Sequence, residues 1–425
     1  MIPEDWEEII FSEAVEINPK RELKKGSVAK SVGMEDIQPF ARRISNYTLN
    51  EFKGGSKFKN GDTLFARITP SLENGKTAFV DILTDGETGF GSTEFIILAA
   101  KNGKTDPYYV HYLSRSPVVR NIAIKSMTGT SGRQRVENDV FDNITIYLPK
   151  IEEQQSIAKI LSNLDSKIEL NQQMNKTLEA IGKAIFKNWF IDFEFPNEEG
   201  KPYKSSCGEM VDSELGKIPK GWRSAKFSEC VNVIKGCSYR SNDLKESQTA
   251  LVTLKSINRG GGFNQGGYKE YVGEYSLDHT LKNGEIVVAQ TDLTQKAEVI
   301  GRPAVVNSLG KYSTLVASLD LQIIRPKNNF SKYFIYCLLK TEDFHNHALS
   351  YTNGTTVLHL NKNAVPNYVF VEPQKIILDK FDDVIRHIHE KIYYCETEIQ
   401  TLTNTKDLLL PKLMSGKIRV PIETS

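Results

Sequence analysis

The sequence predicts an α+β protein with two pseudo-repeated mixed α/β domains separated by an antiparallel coiled coil of two long helices. Three observations carry that expectation. The chain is written twice, each copy changes texture once from short strands to a long helical seam, and strands do not alternate regularly with helices. With 425 residues, of which 39% are hydrophobic, the chain has enough apolar mass for two or three domains and is neither collagen-like nor wholly disordered.

The repeat shows in five anchors that keep one order. Trp6 and Trp222 open similar segments, Asn60-Gly61-Asp62 matches Asn283-Gly284-Glu285, and Gly129-Thr130 matches Gly354-Thr355. Lys167-Ile168 matches Lys391-Ile392, and Thr177-Leu178 matches Thr401-Leu402. The spacing drifts only from 216 to 225 residues, as one short insertion would cause. A period this long is a duplicated domain plus helix, not a solenoid.

In chain order, residues 1–150 form the first domain. Short β-rich runs such as Thr63-Leu64-Phe65-Ala66 and Phe95-Ile96-Ile97-Leu98 lie between Gly, Asn and Asp turns, and a helix around Tyr108–Leu113 ends at Pro117. Residues 151–195 form the first long helix, 196–215 a linker, 216–373 the second domain, and 374–425 the second long helix with a tail. The first seam runs through Leu161, Leu164, Ile168, Asn171, Met174, Leu178, Ile181 and Ile185. The second runs through Phe381, Val384, Ile388, Ile392, Cys395, Ile399, Leu402, Leu409 and Leu413. About 35 helical residues would reach roughly 50 Å. A helix that only packs on its own domain is the alternative, but several heptads exceed what one small domain covers. Asn171, polar on an apolar seam, is placed to fix register, and Pro196 and Pro411 to stop or kink the helices.

No run approaches the length of a membrane span, and the N-terminus shows no basic stretch followed by an apolar one, so the expected location is the cytoplasm. Five cysteines without a C-x-x-C pair suit a reducing compartment. Catalytic signatures are missing. Gly75-Lys76-Thr77 has Pro70 where a phosphate loop needs its first glycine, no G-x-S-x-G or H-E-x-x-H occurs, and His387, His389 and Glu390 read as a solvated helix face. The chain is therefore expected not to be an enzyme by itself, and to hold no metal or cofactor.

The net charge is only +1, so any nucleic-acid binding must come from local patches. Between Lys101 and Arg135 seven cations face a single acid, Asp106. That run ends in Thr128-Gly129-Thr130-Ser131-Gly132-Arg133-Gln134-Arg135, where hydroxyls suit phosphates, Arg suits guanine and Gln suits adenine. The equivalent segment of the second copy, 352–361, differs in its side chains. The candidate DNA contacts are Lys76, Lys125, Thr130, Ser131, Arg133, Gln134 and Arg135 in the first copy, and Arg240, Asn353, Thr355, His359 and Asn361 in the second. Each loop also reads as a plain turn. A shared framework with unlike loops would read two different short sequences, held roughly 35 to 50 Å apart by the helices, rather more than one duplex turn of about 34–36 Å. A protein-binding scaffold is the alternative function.

At this point the chain resembles the specificity subunit of type I restriction-modification enzymes over its full length. The segments that carry the resemblance are Asn60–Arg67, Gly129–Arg135, Glu152–Ala158, Phe186–Phe193, Ser213–Trp222 and Leu409–Ile418. The resemblance implies two target recognition domains, each reading half of a split double-stranded DNA site. It also implies a coiled coil that acts as a ruler and docks two methyltransferase (M) subunits, with restriction (R) subunits added. By the same resemblance, S-adenosylmethionine sits on the M subunits, ATP with magnesium on the R subunits, and the target adenine flips into the M subunit. The second copy lacks the Gly-Arg-Gln-Arg run, which leaves its base contacts less defined.

Overall fold

A computed structural model describes residues 3–130, 132–294, 296–308 and 310–421. The chain forms two compact units. The first comprises residues up to Gln172 together with those from Glu398 onward, and the second comprises Gln173–Thr397.

In the first unit, strand Glu7–Ile10 pairs antiparallel with Thr145–Leu148 and leads into the single-turn helix α1, Phe11–Ala14. A four-stranded antiparallel sheet follows the order Val15–Ile17, Phe95–Ala100, Thr63–Ala66, Thr77–Phe79. A second sheet runs Thr48–Glu51, Val28–Val32, Gly89–Gly91, Ser56–Phe58, with its central pair parallel. The run Phe95–Leu98 has no polar alternation because both faces of its strand are covered. Ile96 and Leu98 enter one core with Phe11, Phe65 and Phe141, whereas Phe95 and Ile97 enter another with Phe58 and Leu64. Helices α2, Pro107–Arg115, and α3, Pro117–Lys125, cover the first core. Pro117 therefore ends one helix by opening the next, since proline at the first helical position gives up an N–H that needs no partner.

The long helix α4 spans Ile151–Phe186 and continues as a π-helical turn, Lys187–Ile191. Its first part belongs to the first unit, where Ile157, Ala158 and Leu161 share the core with Leu413 and Met414.

The second unit repeats the terminal strand pair and the two four-stranded sheets of the first. Arg223–Lys226 pairs with Val369–Glu372 and leads into α5, Phe227–Cys230. One sheet runs Val231–Lys235, Leu321–Pro326, Ile286–Ala289, Pro303–Val305. The other runs Lys269–Glu270, Thr249–Val252, Thr314–Ala317, Thr280–Leu281, again with a parallel central pair. Helices α6, Lys332–Leu339, and α7, Glu342–Ser350, take the places of α2 and α3, and α8 spans Lys375–Met414. The Asn-Gly anchor makes the same hydrogen bond in both units. The Gly61 N–H donates to the Val80 carbonyl at 2.9 Å and the Gly284 N–H to the Val306 carbonyl at 2.9 Å, both glycines at left-handed φ.

Within each unit α4 and α8 run antiparallel. In the first, Asp165 meets Lys406 and Asn171 meets Glu398; in the second, Met174 meets Cys395 and Gly182 lies against Ile385. Leu161, Ile168, Asn171 and Cys395 are buried on the seam, while Leu164, Leu178, Ile185, Ile388, Ile392, Ile399, Leu402 and Leu409 are half-buried. Two seam expectations are corrected. Ile181 and Val384 stand 44% and 41% exposed, and their neighbours Gly182 and Ile385 occupy the interface. Nor does Pro411 stop α8, which continues to Met414. Among the described residues no helix is long and apolar enough to cross a membrane.

Candidate nucleic-acid interface

The glycine-bearing loop of the first unit is a hairpin. Thr128 and Arg135 exchange both backbone hydrogen bonds, at 3.0 and 2.9 Å, and the Arg133 N–H closes the turn on the Thr130 carbonyl at 2.9 Å. Gly129, at φ 125°, makes the reversal possible, because an added Cβ would stand 3.1 Å from the Arg133 carbonyl oxygen. The hairpin is tied to the loop 67–76. Ile68 bridges to Arg135, the Thr69 N–H donates to the Gln134 carbonyl at 3.0 Å, and the Gln134 N–H donates to the Thr69 hydroxyl at 2.9 Å.

This geometry sorts the candidate residues of the first unit. Arg133 and Thr130 are exposed, and among the described residues Arg133 makes no ion pair or side-chain hydrogen bond. Gln134 is anchored through its backbone with its side chain half-exposed. Arg135 is engaged: its guanidinium grips the Glu94 carboxylate at 2.6 to 3.1 Å, and those hydrogen bonds hold Glu94 below the ordinary carboxylate range. Lys125 ends α3, exposed, where a cation complements the helix dipole. Lys76 reaches inward, donating to the Met34 carbonyl at 2.7 Å. Ser131 lies outside the described residues.

The basic run is less of a surface feature than its composition implies. Lys101 donates to the Ser12 and Glu13 carbonyls, Arg115 to the Phe40 carbonyl, and Arg120 to the Leu72 and Glu73 carbonyls. These cations fasten loops to the scaffold.

The second unit carries the equivalent hairpin. Thr352–Asn353 pairs with Leu358–Leu360, and His359 lies opposite both Asn353 and Thr291. Gly354, at φ 114°, occupies the place of Gly129. Asn353, Thr355 and His359 present exposed side chains. Asn361 shapes the exit, its side-chain oxygen accepting the Asn363 N–H at 2.9 Å. Arg240 is exposed on another loop, with its N–H bonded to Asp243, and among the described residues no hydrogen bond or ion pair links it to the hairpin.

Beside this hairpin stands Asp292, which no motif or spacing marks. Its buried carboxylate accepts the N–H groups of Thr294, Val299 and Ile300 at 2.6, 2.7 and 2.9 Å, holding the loop that presents exposed Leu293. Burial raises its pKa, but the backbone donors outweigh burial and leave it lowered. Its stabilising effect is therefore full above the ordinary carboxylate range and fades as pH falls through the lowered value. Asp292→Asn should cost about 1.5–3 kcal/mol at neutral pH and less in acid, read from thermal unfolding across pH; a loss that did not change with pH would refute this.

On α8 the solvated-face expectation fails for His389. Its ring packs 5.2 Å from Tyr333 and 5.6 Å from Tyr336, and burial, with Lys340 and Lys332 nearby, pushes its pKa down to about 4. His387 remains exposed.

Comparison with known proteins is consistent with this geometry. The family described as type I restriction modification DNA specificity domain matches residues 3–180. The specificity subunit of the type I restriction enzyme MjaIX from Methanocaldococcus jannaschii is 30% identical over 321 residues, covering 73% of this chain and 69% of that protein. The HindI specificity subunit from Haemophilus influenzae is 26% identical over 423 residues, covering 88% and 90%. Among solved structures, the type I restriction-modification S subunit from M. genitalium shares the fold, with a TM-score of 0.55 at 15% identity over 97% of this chain and 96% of that one.

Proposed function

The chain belongs to the type I restriction enzyme specificity subunits, and on that premise we propose that its two units each read one half of a split DNA site. The observation that carries this reading is one scaffold built twice with unlike tips. Gly129 and Gly354 turn equivalent hairpins, one presenting Thr130 and Arg133, the other Asn353, Thr355 and His359. Identical frameworks with different exposed donors and acceptors give different base preferences.

The α4–α8 pair serves in this proposal as the spacer and as the dock for two M subunits. Exposed Leu170 and Leu408 in the first unit, and Tyr393 and Tyr394 in the second, are apolar side chains on those helices that a partner would cover. The chain supplies recognition, while the M subunits bring S-adenosylmethionine and methylate adenine, and the R subunits bring ATP and magnesium. The complex works in the cytoplasm, on the host's own DNA.

Exchanging residues 1–150 for those of another family member, followed by methylation mapping of host DNA, should alter one half-site and leave the other. A change in both halves, or in neither, refutes the modular reading. Arg133→Ala should weaken binding to the mapped duplex by about 1–3 kcal/mol and relax preference at one base pair. Unchanged affinity would remove Arg133 from the interface.

A further inference from the structure

Phe40 holds a backbone conformation that costs a phenylalanine dearly. Its φ is 56°, the left-handed region, where a bulky side chain is an outlier. It is also 54% exposed, so burial does not compensate. Phe193, at φ 61°, is a useful contrast, because its ring packs 5.7 Å from the Trp222 ring.

The internal repeat shows that the scaffold requires the conformation but not the side chain. The Phe40 N–H donates to the Gly75 carbonyl at 3.0 Å, and the Gly260 N–H donates to the Glu298 carbonyl at 2.9 Å. Two residues on, the Arg42 carbonyl accepts the Phe79 N–H, while the Gly262 N–H donates to the Pro303 carbonyl. Ile37 bridges Ile44 just as Ile257 bridges Phe263. Gly260 sits at φ 76°, the unstrained solution to the same turn. The first unit keeps an aromatic ring where the second keeps none.

That ring is rigidly mounted. It lies over Gly75, where an added Cβ would come within 2.7 Å of three ring atoms, so only glycine fits beneath it. The Arg120 guanidinium stands 5.4 Å from its centroid and is itself fixed by the Leu72 and Glu73 carbonyls. Arg115 holds the Phe40 carbonyl at 2.6 Å. The supporting loop, 67–76, is the one that carries the hairpin of Arg133. Backbone strain kept at an exposed, braced aromatic marks a functional position.

We propose that Phe40 is a stacking wedge that packs against a base of the target duplex where the stack opens. This rests on the reading of the first unit as a DNA-reading domain. An apolar ring that fills the gap beside an unstacked base offsets the cost of opening the duplex, and base-to-ring stacking tolerates any base.

The test uses the full chain assembled with its methyltransferase subunits. The probe is a duplex bearing the site mapped from host DNA, with 2-aminopurine at the methylated adenine. Phe40→Gly should bind roughly tenfold more weakly and lose most of the fluorescence rise on binding, with no fall in thermal stability, because glycine relieves the strain. Phe40→Trp should keep both signals. Wild-type affinity and fluorescence in Phe40→Gly would overturn the wedge. So would a joint loss of stability and binding that Phe40→Leu restores, since the ring would then be packing alone. Failure of the unaltered complex to bind the mapped duplex would instead overturn the DNA reading, and the wedge with it.

Discussion

Lys406→Met is expected to destabilise the first unit by about 3–5 kcal/mol, more than any surface change in the chain. Asp165 and Lys406 are 2% and 5% exposed, and the ammonium stands 2.5 Å from the carboxylate. The second carboxylate oxygen accepts the Tyr112 hydroxyl at 2.7 Å, with Arg115 3.9 Å away. Removing the lysine leaves the carboxylate with only Arg115, at 3.9 Å, and the Tyr112 hydroxyl in a site that water cannot re-enter freely, and that poorly compensated charge sets the size of the effect. Asp165→Leu combined with Lys406→Met, joined by Tyr112→Phe to avoid an orphaned hydroxyl, should recover part of the loss, because the apolar trio needs no desolvation while Arg115 keeps its hydrogen bond to the Phe40 carbonyl. Hydrogen exchange along residues 151–172 under increasing urea reads both variants; a single-variant loss below about 1 kcal/mol would refute the argument.

The second large effect falls on Phe190, in the π-helical turn that follows α4. Its ring is buried at centroid distances of 4.8 Å from Phe381, 4.9 Å from Phe334, 5.2 Å from Phe186 and 6.0 Å from Trp222. Edge-to-face contacts with Phe381 and Phe334 fix its orientation, so neighbours cannot collapse into the space it leaves. Phe190→Ala should cost about 3–5 kcal/mol, whereas Phe190→Leu should recover roughly half. Thermal unfolding followed by indole fluorescence reports the change, since Trp189 and Trp222 both border the site. Equal stability of Phe190→Ala and the parent chain would show that the cluster is loosely packed.

These two residues also show what the sequence discloses. The duplication, the α+β texture and the two long helices follow from spacing, because period and turn residues act locally. The glycines of the two hairpins were legible for the same reason. Asp165 and Lys406 were not, although each sits at the three-four spacing between apolar partners, Leu161 and Ile168 for one, Leu402 and Leu409 for the other. Apolar periodicity passes over charged and small side chains, so it points to Leu164 beside Asp165 and to Ile181 beside Gly182. Arg135 read as a free cation because its partner Glu94 lies 41 residues away in sequence. The basic run misled in the same way, since carbonyl acceptors leave no trace in composition. Phe40 carried no local signal at all, because its strain is visible only beside Gly260.

The first unit is assembled from two stretches of chain, with the whole second unit inserted between them. Its core is closed by Leu413 and Met414, and Arg419 pins that tail to Asp5 and Glu153 at 2.8 to 2.9 Å. During synthesis the inserted unit can mature as soon as it leaves the ribosome, while the earlier-made half must wait for Leu413 and Met414 to complete its core. A product cut short after Thr397 would thus fail in the part translated first, and only finished chains would acquire both heads.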